Sequence, residues 1–583
     1  MNKPVILFIA AVLPGLAADD TPHFRKEQIR QTEQVASIAV VDLNDDGKPD
    51  ILASGDVPAW FQNPTWTKRP ISDVASAVVR PAGGPKIGWI RSIRHLATLE
   101  NGALVTYRQR TQPRDAQRNT KRRPTPIPDR TWKRDVVDQQ ADAAYLLWAD
   151  VDGDGSDEIV AASRSGISIY KLLYDGRWRK TPVDSTPATE LAAGDLNGDG
   201  LADLVASGPG GIRVYWNEYQ PAWVRHVVVQ GFRTQSAVAA DFTGRGKMDV
   251  ISGDIENDHN IYLYSAPDWK PKLLHSGLRL IQSAAFDVDG DGDIDFIGAQ
   301  YRPAMIFWLE RPKDPVHDPW PFHVIDDFTK GGVNGVHSLL TADIDRDGKL
   351  DLVANSGWPD GSFPSSLAWF RVPPQPRTAE RWERHIFADR DAPGLSHYLG
   401  VGDVNGDGRL DLATGAKTKP DGNWFAWWEQ PADARVPWKK HVIATEQEGA
   451  TNILIADVNG DGKPDFIASR GHGKGLVWYE APDWRPHEIY PELVGPHSLA
   501  AADLDGDGDI DFVTCAKDAR ICAWFENDGK GNFTIRHIHE NQASYEVRLV
   551  DMNGDGVPDI LVAGQESQNV VWFENRLKQG RKR

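Results

Sequence analysis

Cysteine is nearly absent from this chain, with only Cys515 and Cys522 among 583 residues. That excludes a thiolate metal cluster and a multi-disulfide scaffold. The two cysteines flank Lys517-Asp518-Ala519-Arg520, a stretch suited to a tight turn that would set them opposite each other across a hairpin. One disulfide forms if the pair is close and suitably directed; the alternative is two small apolar residues in a strand. Long apolar runs are missing too. Beyond the N-terminus no segment approaches the roughly eighteen uninterrupted apolar residues of a membrane-spanning helix. No window carries the amphipathic period of a helix, and no phosphate-binding loop or Ser/His/Asp set is evident.

The one short apolar run, Val5 to Leu13, follows Lys3 and precedes Gly15-Leu16-Ala17-Ala18. Residues 1–18 therefore read as a signal peptide, and a secreted or periplasmic location is expected. No cysteine follows the cleavage site, so a lipid anchor is not indicated.

What is abundant is Gly (53), Pro (39) and acidic residues, 83 against 65 basic ones, for a net charge of −18. The acids are concentrated in a repeated loop. Its clearest copies are Asp195-Leu-Asn197-Gly-Asp199-Gly200-Leu-Ala-Asp203, Asp287-Val-Asp289-Gly-Asp291-Gly292-Asp-Ile-Asp295 and Asp457-Val-Asn459-Gly-Asp461-Gly462-Lys-Pro-Asp465. From Asp150 onward the copies start 45, 46, 46, 56, 60, 54, 46 and 48 residues apart. The gap from Asp42 to Asp150 is two periods wide, and Glu100-Asn101-Gly102 at its middle reads as a copy stripped of ligands. Before each loop runs a small-apolar strand such as Ser498-Leu-Ala-Ala-Ala. After it come Ile510-Asp-Phe-Val-Thr514, Ala523-Trp524-Phe525-Glu526 and a closing stretch such as Trp438-Lys-Lys-His441-Val-Ile443 or Trp223-Val-Arg-His226-Val-Val228. Four short strands per unit of about 50 residues, repeated about eleven times, predict an all-β β-propeller of four-stranded blades over residues 19–575. Eleven units exceed the about four to eight blades usual in one ring, which points to two rings; the unbroken repeat leaves a single large ring open. The N-terminal strand Phe24-Arg-Lys-Glu-Gln-Ile29 is expected to complete the last blade beside Val570-Val-Trp572-Phe573-Glu574, covering exposed edges. Residues 108–134 form a basic, Pro-rich insertion, and 576–583 a basic tail.

The Asp-x-Asp/Asn-Gly-Asp-Gly-x-x-Asp loops between short strands resemble the FG-GAP/VCBS repeats of integrin-like propellers. The resemblance implies the propeller fold and leaves function open, since such propellers serve adhesion, lectin activity and carbohydrate-cleaving enzymes alike.

Oxygens at loop positions 1, 3, 5 and 9, with a backbone carbonyl at 7, suit a calcium ion, which takes roughly six to eight hard donors. Nine loops qualify: Asp42, Asn44, Asp46 and Asp50; Asp150, Asp152, Asp154 and Glu158; Asp195, Asn197, Asp199 and Asp203; Asp287, Asp289, Asp291 and Asp295; Asp343, Asp345, Asp347 and Asp351; Asp403, Asn405, Asp407 and Asp411; Asp457, Asn459, Asp461 and Asp465; Asp503, Asp505, Asp507 and Asp511; and Asp551, Asn553, Asp555 and Asp559. Nine structural calcium ions would offset the net charge of −18; the plainer alternative is a set of metal-free Asp-Gly turns. At Asp241, Thr243 and Arg245 replace two ligands, and the Arg245 guanidinium is expected to stand in for the cation between Asp241 and Asp249.

In a four-stranded blade the loop between strands one and two lies at the end opposite the loop between strands two and three. A ligand site is therefore expected away from the calcium loops. His337, His397 and His497, each six residues before its loop Asp, are the candidate catalytic or ligand-binding residues there. Asn452, Glu448, Tyr545 and Glu546 are similar in kind, with Trp358, Lys417, Lys419, Trp424 and His472 in the two-to-three loops. The plainer alternative is that each histidine caps its own blade. His226, His323, His385, His441 and His537 follow the fourth-strand pattern and read as fold residues, as do most of the 22 Trp. The leading function is a non-catalytic, calcium-stabilised binding module for carbohydrate or another extracellular ligand. The alternative is a metal-assisted carbohydrate lyase or sugar dehydratase. A transition metal is conceivable and otherwise unsupported, and nucleic acid is not an expected partner.

Overall fold

A computed structural model describes residues 24–577 except 31–34, 43–45, 47, 56–58, 71–94, 101–102, 110–131, 140, 154–155, 174–176, 199–200, 210, 219–221, 232, 331–334, 356–358, 360, 419–420 and 541. The expected signal peptide, most of the basic insertion, the end of the tail, the expected ligands Asn44, Asp154 and Asp199, and Trp358 and Lys419 lie outside the described residues.

The chain divides into two units, Met1–Pro221 and Ala222–Arg583. Both are all-β, and a 3-10 turn at Phe328–Lys330 is the sole helical element among the described residues. Ten four-stranded antiparallel sheets and one three-stranded sheet account for the strands, an arrangement consistent with a β-propeller. Among the described residues no helix is long and apolar enough to cross a membrane.

The sheet of Ser396–Gly402, Asp411–Ala416, Trp424–Glu429 and Lys439–Ala444 shows how sequence makes a blade. The strands pair in chain order. The second is buried along its whole length and the third almost so, because both sheet faces meet neighbouring sheets; accordingly they read as near-continuous apolar runs. The fourth is mostly exposed. Between this sheet and the preceding one lie Trp369, Phe387, Leu412, Trp428 and Trp438 in a single core cluster. Trimming one such Trp to Ala would cost about 3–5 kcal/mol.

Two further devices recur. The residue that follows the third strand's acidic residue reaches across to the loop of the adjoining sheet. Gln430 Nε2 donates to Ile344 O (2.8 Å), Asn527 Nδ2 to Val458 O (2.8 Å), Asn575 Nδ2 to Leu504 O (2.8 Å) and Arg311 Nε to Phe242 O (2.7 Å). In the first unit Asn63 and Asn217, which follow Gln62 and Trp216 rather than an acid, reach Leu196 O and Val151 O in the same way. A fourth-strand histidine also stacks on a third-strand Trp: His226 on Trp572, His323 on Trp308, His385 on Trp369 and His441 on Trp427, with centroids 4.1–4.3 Å apart. His226, His323 and His441 bond a glutamate at 2.8, 3.0 and 2.7 Å. His487 on Trp478, at 4.2 Å, belongs to this set as well, and it follows Trp484 at the same three-residue spacing as the others follow theirs. His537 does not: it faces Ala523, and Arg536 opposes Trp524 and pairs with Glu526 instead.

The closing strand is a correction. Phe24–Arg30 pairs with Gly211–Asn217, inside the first unit. The last sheet is completed by Trp223–Gln230, which pairs with Asn569–Asn575. Either strand has the right alternation, but only Trp223–Gln230 brings a histidine to the third-strand Trp; Arg25 occupies that place opposite Trp216. In the second unit the innermost strands touch in chain order, and Glu546–Val550 comes back to Ala237–Ala240. Cys515 and Cys522 are directly paired in register and disulfide-bonded, with Cα atoms 3.9 Å apart.

Candidate functional site

The Asp loops are built by their own side chains. In residues 403–411, Asp403 accepts N–H bonds from Gly406 (2.7 Å), Asp407 (3.1 Å) and Gly408 (2.7 Å), while Asn405 accepts from Asp407 (3.0 Å). Gly406 and Gly408 sit at φ of +74° and +79°, where a side chain would be strained. Corresponding bonds to the first Asp shape the loops at Asp287, Asp343, Asp457, Asp503 and Asp551, and to Asp46 and Gly198 at Asp42 and Asp195.

The result gathers oxygens around one point. One ligand atom from each of Asp287, Asp289 and Asp291, of Asp343, Asp345 and Asp347, of Asp503, Asp505 and Asp507, and of Asp150, Asp152 and Glu158 lies within 4.8 Å of the others in its set. The donors fit calcium: they are hard oxygens, and Asp345 Oδ1 is buried with no hydrogen-bond partner among the described residues. When bound, calcium would supply only charge and a rigid template. Basic side chains are drawn to the same oxygens: Arg371 to Asp345 (3.0 Å) and Asp347 (2.9 Å), Arg377 to Asp289 (2.6 Å) and Asp291 (2.8 Å), Lys171 to Asp152, and Arg409 to Asp407. A cleft of about 370 Å³ beside Arg371 and Arg409 belongs to this loop end.

The ninth position also ties the loop to the sheet. Asp411 is fully buried and accepts from Val404 N (2.9 Å) and Gln430 N (2.8 Å), tying the loop to the far end of the third strand. Asp50, Asp203, Asp295, Asp465, Asp511 and Asp559 are tied likewise at that far end, and Asp351 and Glu158 accept the N–H of loop position two. Burial, reinforced by the neighbouring loop acids, pushes Asp411 and Asp559 up to about 6 and Asp295, Asp351 and Asp511 up to about 7.

At the opposite end of the second unit's sheets the predicted histidines meet. His397 and His497 are fully buried at the entrances of their inner strands, and His337 stacks on His397 with centroids 4.1 Å apart. His472, from the exposed turn between the second and third strands of its sheet, completes the group. Its Nε2 lies 2.9 Å from His397 Nε2 and 3.2 Å from His497 Nε2. The close approach depends on Gly471, where a Cβ would sit 2.6 Å from His497 Cα. Lys417 Nζ stands 2.9 Å from His472 Nε2. His497 Nδ1 lies 2.9 Å from Tyr545 O, and Tyr398 OH donates to the same carbonyl at 3.0 Å.

Burial is the main electrostatic force here. It holds His337, His397 and His472 below the ordinary imidazole range and His497 down at about 3, with neighbouring cations adding to the effect. Burial, then the charge of Lys517, lowers Lys417 to about 8. Tyr398 and Tyr545 are held above the normal phenol range, again by burial. The end thus presents neutral imidazoles, a softened ammonium and protonated phenols. Of the other residues singled out, Asn452 and Glu546 are buried on inner strands and Trp424 is in the core, where its Nε1 donates to Pro393 O and Asp421 O.

Among solved structures, a streptogramin B lyase aligns at 10% identity over 60% of this chain and 97% of its own, with a TM-score of 0.41. An Agrocybe aegerita lectin, described for its specific recognition of non-reducing terminal N-acetylglucosamine, aligns at 17% identity over 72% of this chain and 95% of its own, with a TM-score of 0.39. No curated protein sequence matches the chain. The FG-GAP-like repeat model matches residues 150–206, 195–252, 287–354, 403–468, 457–514 and 503–562, more than half of the sequence. With its Asp loops and four-stranded sheets in the places that model requires, the chain belongs to the FG-GAP-like repeat family.

Proposed function

We propose that this is an exported, calcium-stabilised β-propeller binding module made of two rings, one of four blades and one of seven. The seven-sheet unit closes through Trp223–Gln230 on Asn569–Asn575, and the four-sheet unit through Phe24–Arg30 on Gly211–Asn217. Calcium in the Asp loops stiffens one end of each blade. The ligand, a carbohydrate or another extracellular surface group, binds at the other end of the larger ring. The observation that carries this reading is the meeting of His337, His397, His472, His497 and Lys417 away from the Asp loops. Polar groups converging on one point are what a hydroxyl-rich ligand needs for orientation.

The test is a glycan array of neutral and acidic saccharides, run with the calcium-loaded chain and with Lys417→Ala. Binding weakened by the substitution supports the reading; binding that ignores it, or no binding to any glycan, removes it. The same imidazoles and Lys417 favour a second reading, a metal-assisted lyase or sugar dehydratase, because neutral bases beside a softened ammonium can move protons. Release of unsaturated product from acidic polysaccharides would move the assignment to that class.

A further inference from the structure

We propose that His397, His472 and His497 bind one divalent transition-metal ion of the zinc class through their three Nε2 atoms. The site is separate in place and chemistry from the Asp loops, which offer oxygen only. Its strongest support is a proton count. His497 Nδ1 faces Tyr545 O at 2.9 Å and His397 Nδ1 faces Ser396 O at 3.4 Å. A carbonyl can only accept, so His497 Nδ1 carries the hydrogen and its Nε2 presents a lone pair; the longer His397 contact favours the same tautomer. Both lone pairs are aimed at His472 Nε2, which has at most one hydrogen to give. With its hydrogen on Nδ1, His472 Nε2 accepts from Lys417 at 2.9 Å and gives nothing to either imidazole; with its hydrogen on Nε2 it serves only one of them. The three imidazoles cannot satisfy one another with protons, and a cation that displaces the Lys417 contact could take all three nitrogens.

The spacing agrees. Nitrogens about 2.0–2.1 Å from a tetrahedral zinc are about 3.3 Å from one another, against 2.9 and 3.2 Å here. Carbonyl anchoring of the other ring nitrogen fixes the tautomer and rotamer a metal-binding imidazole requires. His337, stacked on His397, and Tyr545, whose ring lies 4.0 Å from that of His497, hold the planes in place. Because His472 is exposed, the fourth coordination position opens towards solvent beside Lys417. A three-nitrogen set excludes calcium and suits zinc or its neighbours in the first transition row.

The metal-assisted reading of function would draw on this site, but the test reads metal alone, so either can fail without the other. The full chain, saturated with calcium to occupy the oxygen loops, is titrated with Co(II). The expected result is a visible d–d absorption that saturates at one equivalent per chain and is abolished by one equivalent of Zn(II). His472→Ala, a change in an exposed turn, should weaken Co(II) binding by more than the roughly 10–100-fold that losing an outer partner costs, with calcium-loaded melting unchanged. Gly471→Ala should weaken it as well by moving the turn. Absence of the absorption, or equal Co(II) affinity in the wild type and His472→Ala, overturns the proposal.

Discussion

Two loops of the second unit, 403–411 and 241–249, have the same length and place but different chemistry. In the first, Asp403 and Asn405 accept loop amides, and Asn405 Nδ2 donates to Asp407 Oδ2 at 3.1 Å. In the second, Arg245 has moved in: its Nη2 pairs with Asp249 at 3.0 Å, its Nε donates to Thr243 Oγ1 at 2.7 Å, and its backbone N–H to Asp241 at 2.8 Å. Thr243 Oγ1 in turn donates to Asp249 at 2.6 Å. The guanidinium thus reaches Asp249 and Thr243 but not Asp241, whose carboxylate takes backbone N–H groups instead, which corrects the expectation that it would bridge both acids. If the intact loops hold calcium, this blade differs from them in carrying its own cation.

The largest effect expected follows from chelation. Each intact loop contributes about 2.7 kcal/mol when free calcium is about a hundredfold above its dissociation constant, so EGTA should lower Tm by many degrees. Hydrogen exchange sharpens the comparison: amides flanking 403–411 should lose protection in EGTA and those flanking 241–249 should keep it. Equal loss at both would break it.

Substitution comes next. Asp403→Ala should destabilise the calcium-loaded chain and leave its EGTA stability nearly untouched. Arg245→Ala should cost about 1–3 kcal/mol with or without calcium, since it strips the charged partner from buried Asp249 and leaves it only the Thr243 and Ala266 donors. The double change Thr243→Asn with Arg245→Asp should make the loop calcium-dependent, read as a larger calcium-induced rise in Tm than the wild type shows.

The pH response is smaller. In the metal-free chain Asp295, Asp351, Asp411, Asp511 and Asp559 have folded-state values raised to about 6–7. A raised acid binds more protons folded than unfolded, so its stabilisation is complete below the unfolded value and is lost as pH rises through the folded one. Denaturant midpoints in EGTA should accordingly fall between about pH 4 and 7, and calcium should flatten that slope. An identical slope with and without calcium would show that these carboxylates do not face the ion. The smallest effect is that of His441→Ala, which removes a stack on Trp427 worth about 0.5–1.5 kcal/mol, in either medium.

Much of this was legible because it is local. A loop whose first Asp binds the amides three to five residues on is written within nine residues, as is the Arg245 exchange. The strand pattern around each loop is equally short in range, and that sufficed for the fold class. His472 was visible only as one of several polar residues in outer turns, since nothing near it in sequence states that Gly471 lets it reach His497. The His487 stack was legible too, since Trp484-Arg485-Pro486-His487 has the Trp-x-x-His spacing of the other units, although the expected set of fourth-strand histidines leaves it out.

The sequence by itself determined the repeat, the all-β architecture, the position of each Asp loop and the end of the blade on which the histidines fall, because hydrogen bonds inside a turn and the two-residue period of a strand need no distant partner. Tertiary structure alone decided that the chain divides after Pro221, that Phe24–Arg30 closes on Gly211–Asn217 rather than on the last blade, and that imidazoles 75 and 25 residues from His472 meet at its Nε2. Any alternating strand can pair with any open edge, and any inner-strand histidine can point along the blade. The choice belongs to strand pairing and to close packing between sheets within each unit, which join residues far apart in sequence.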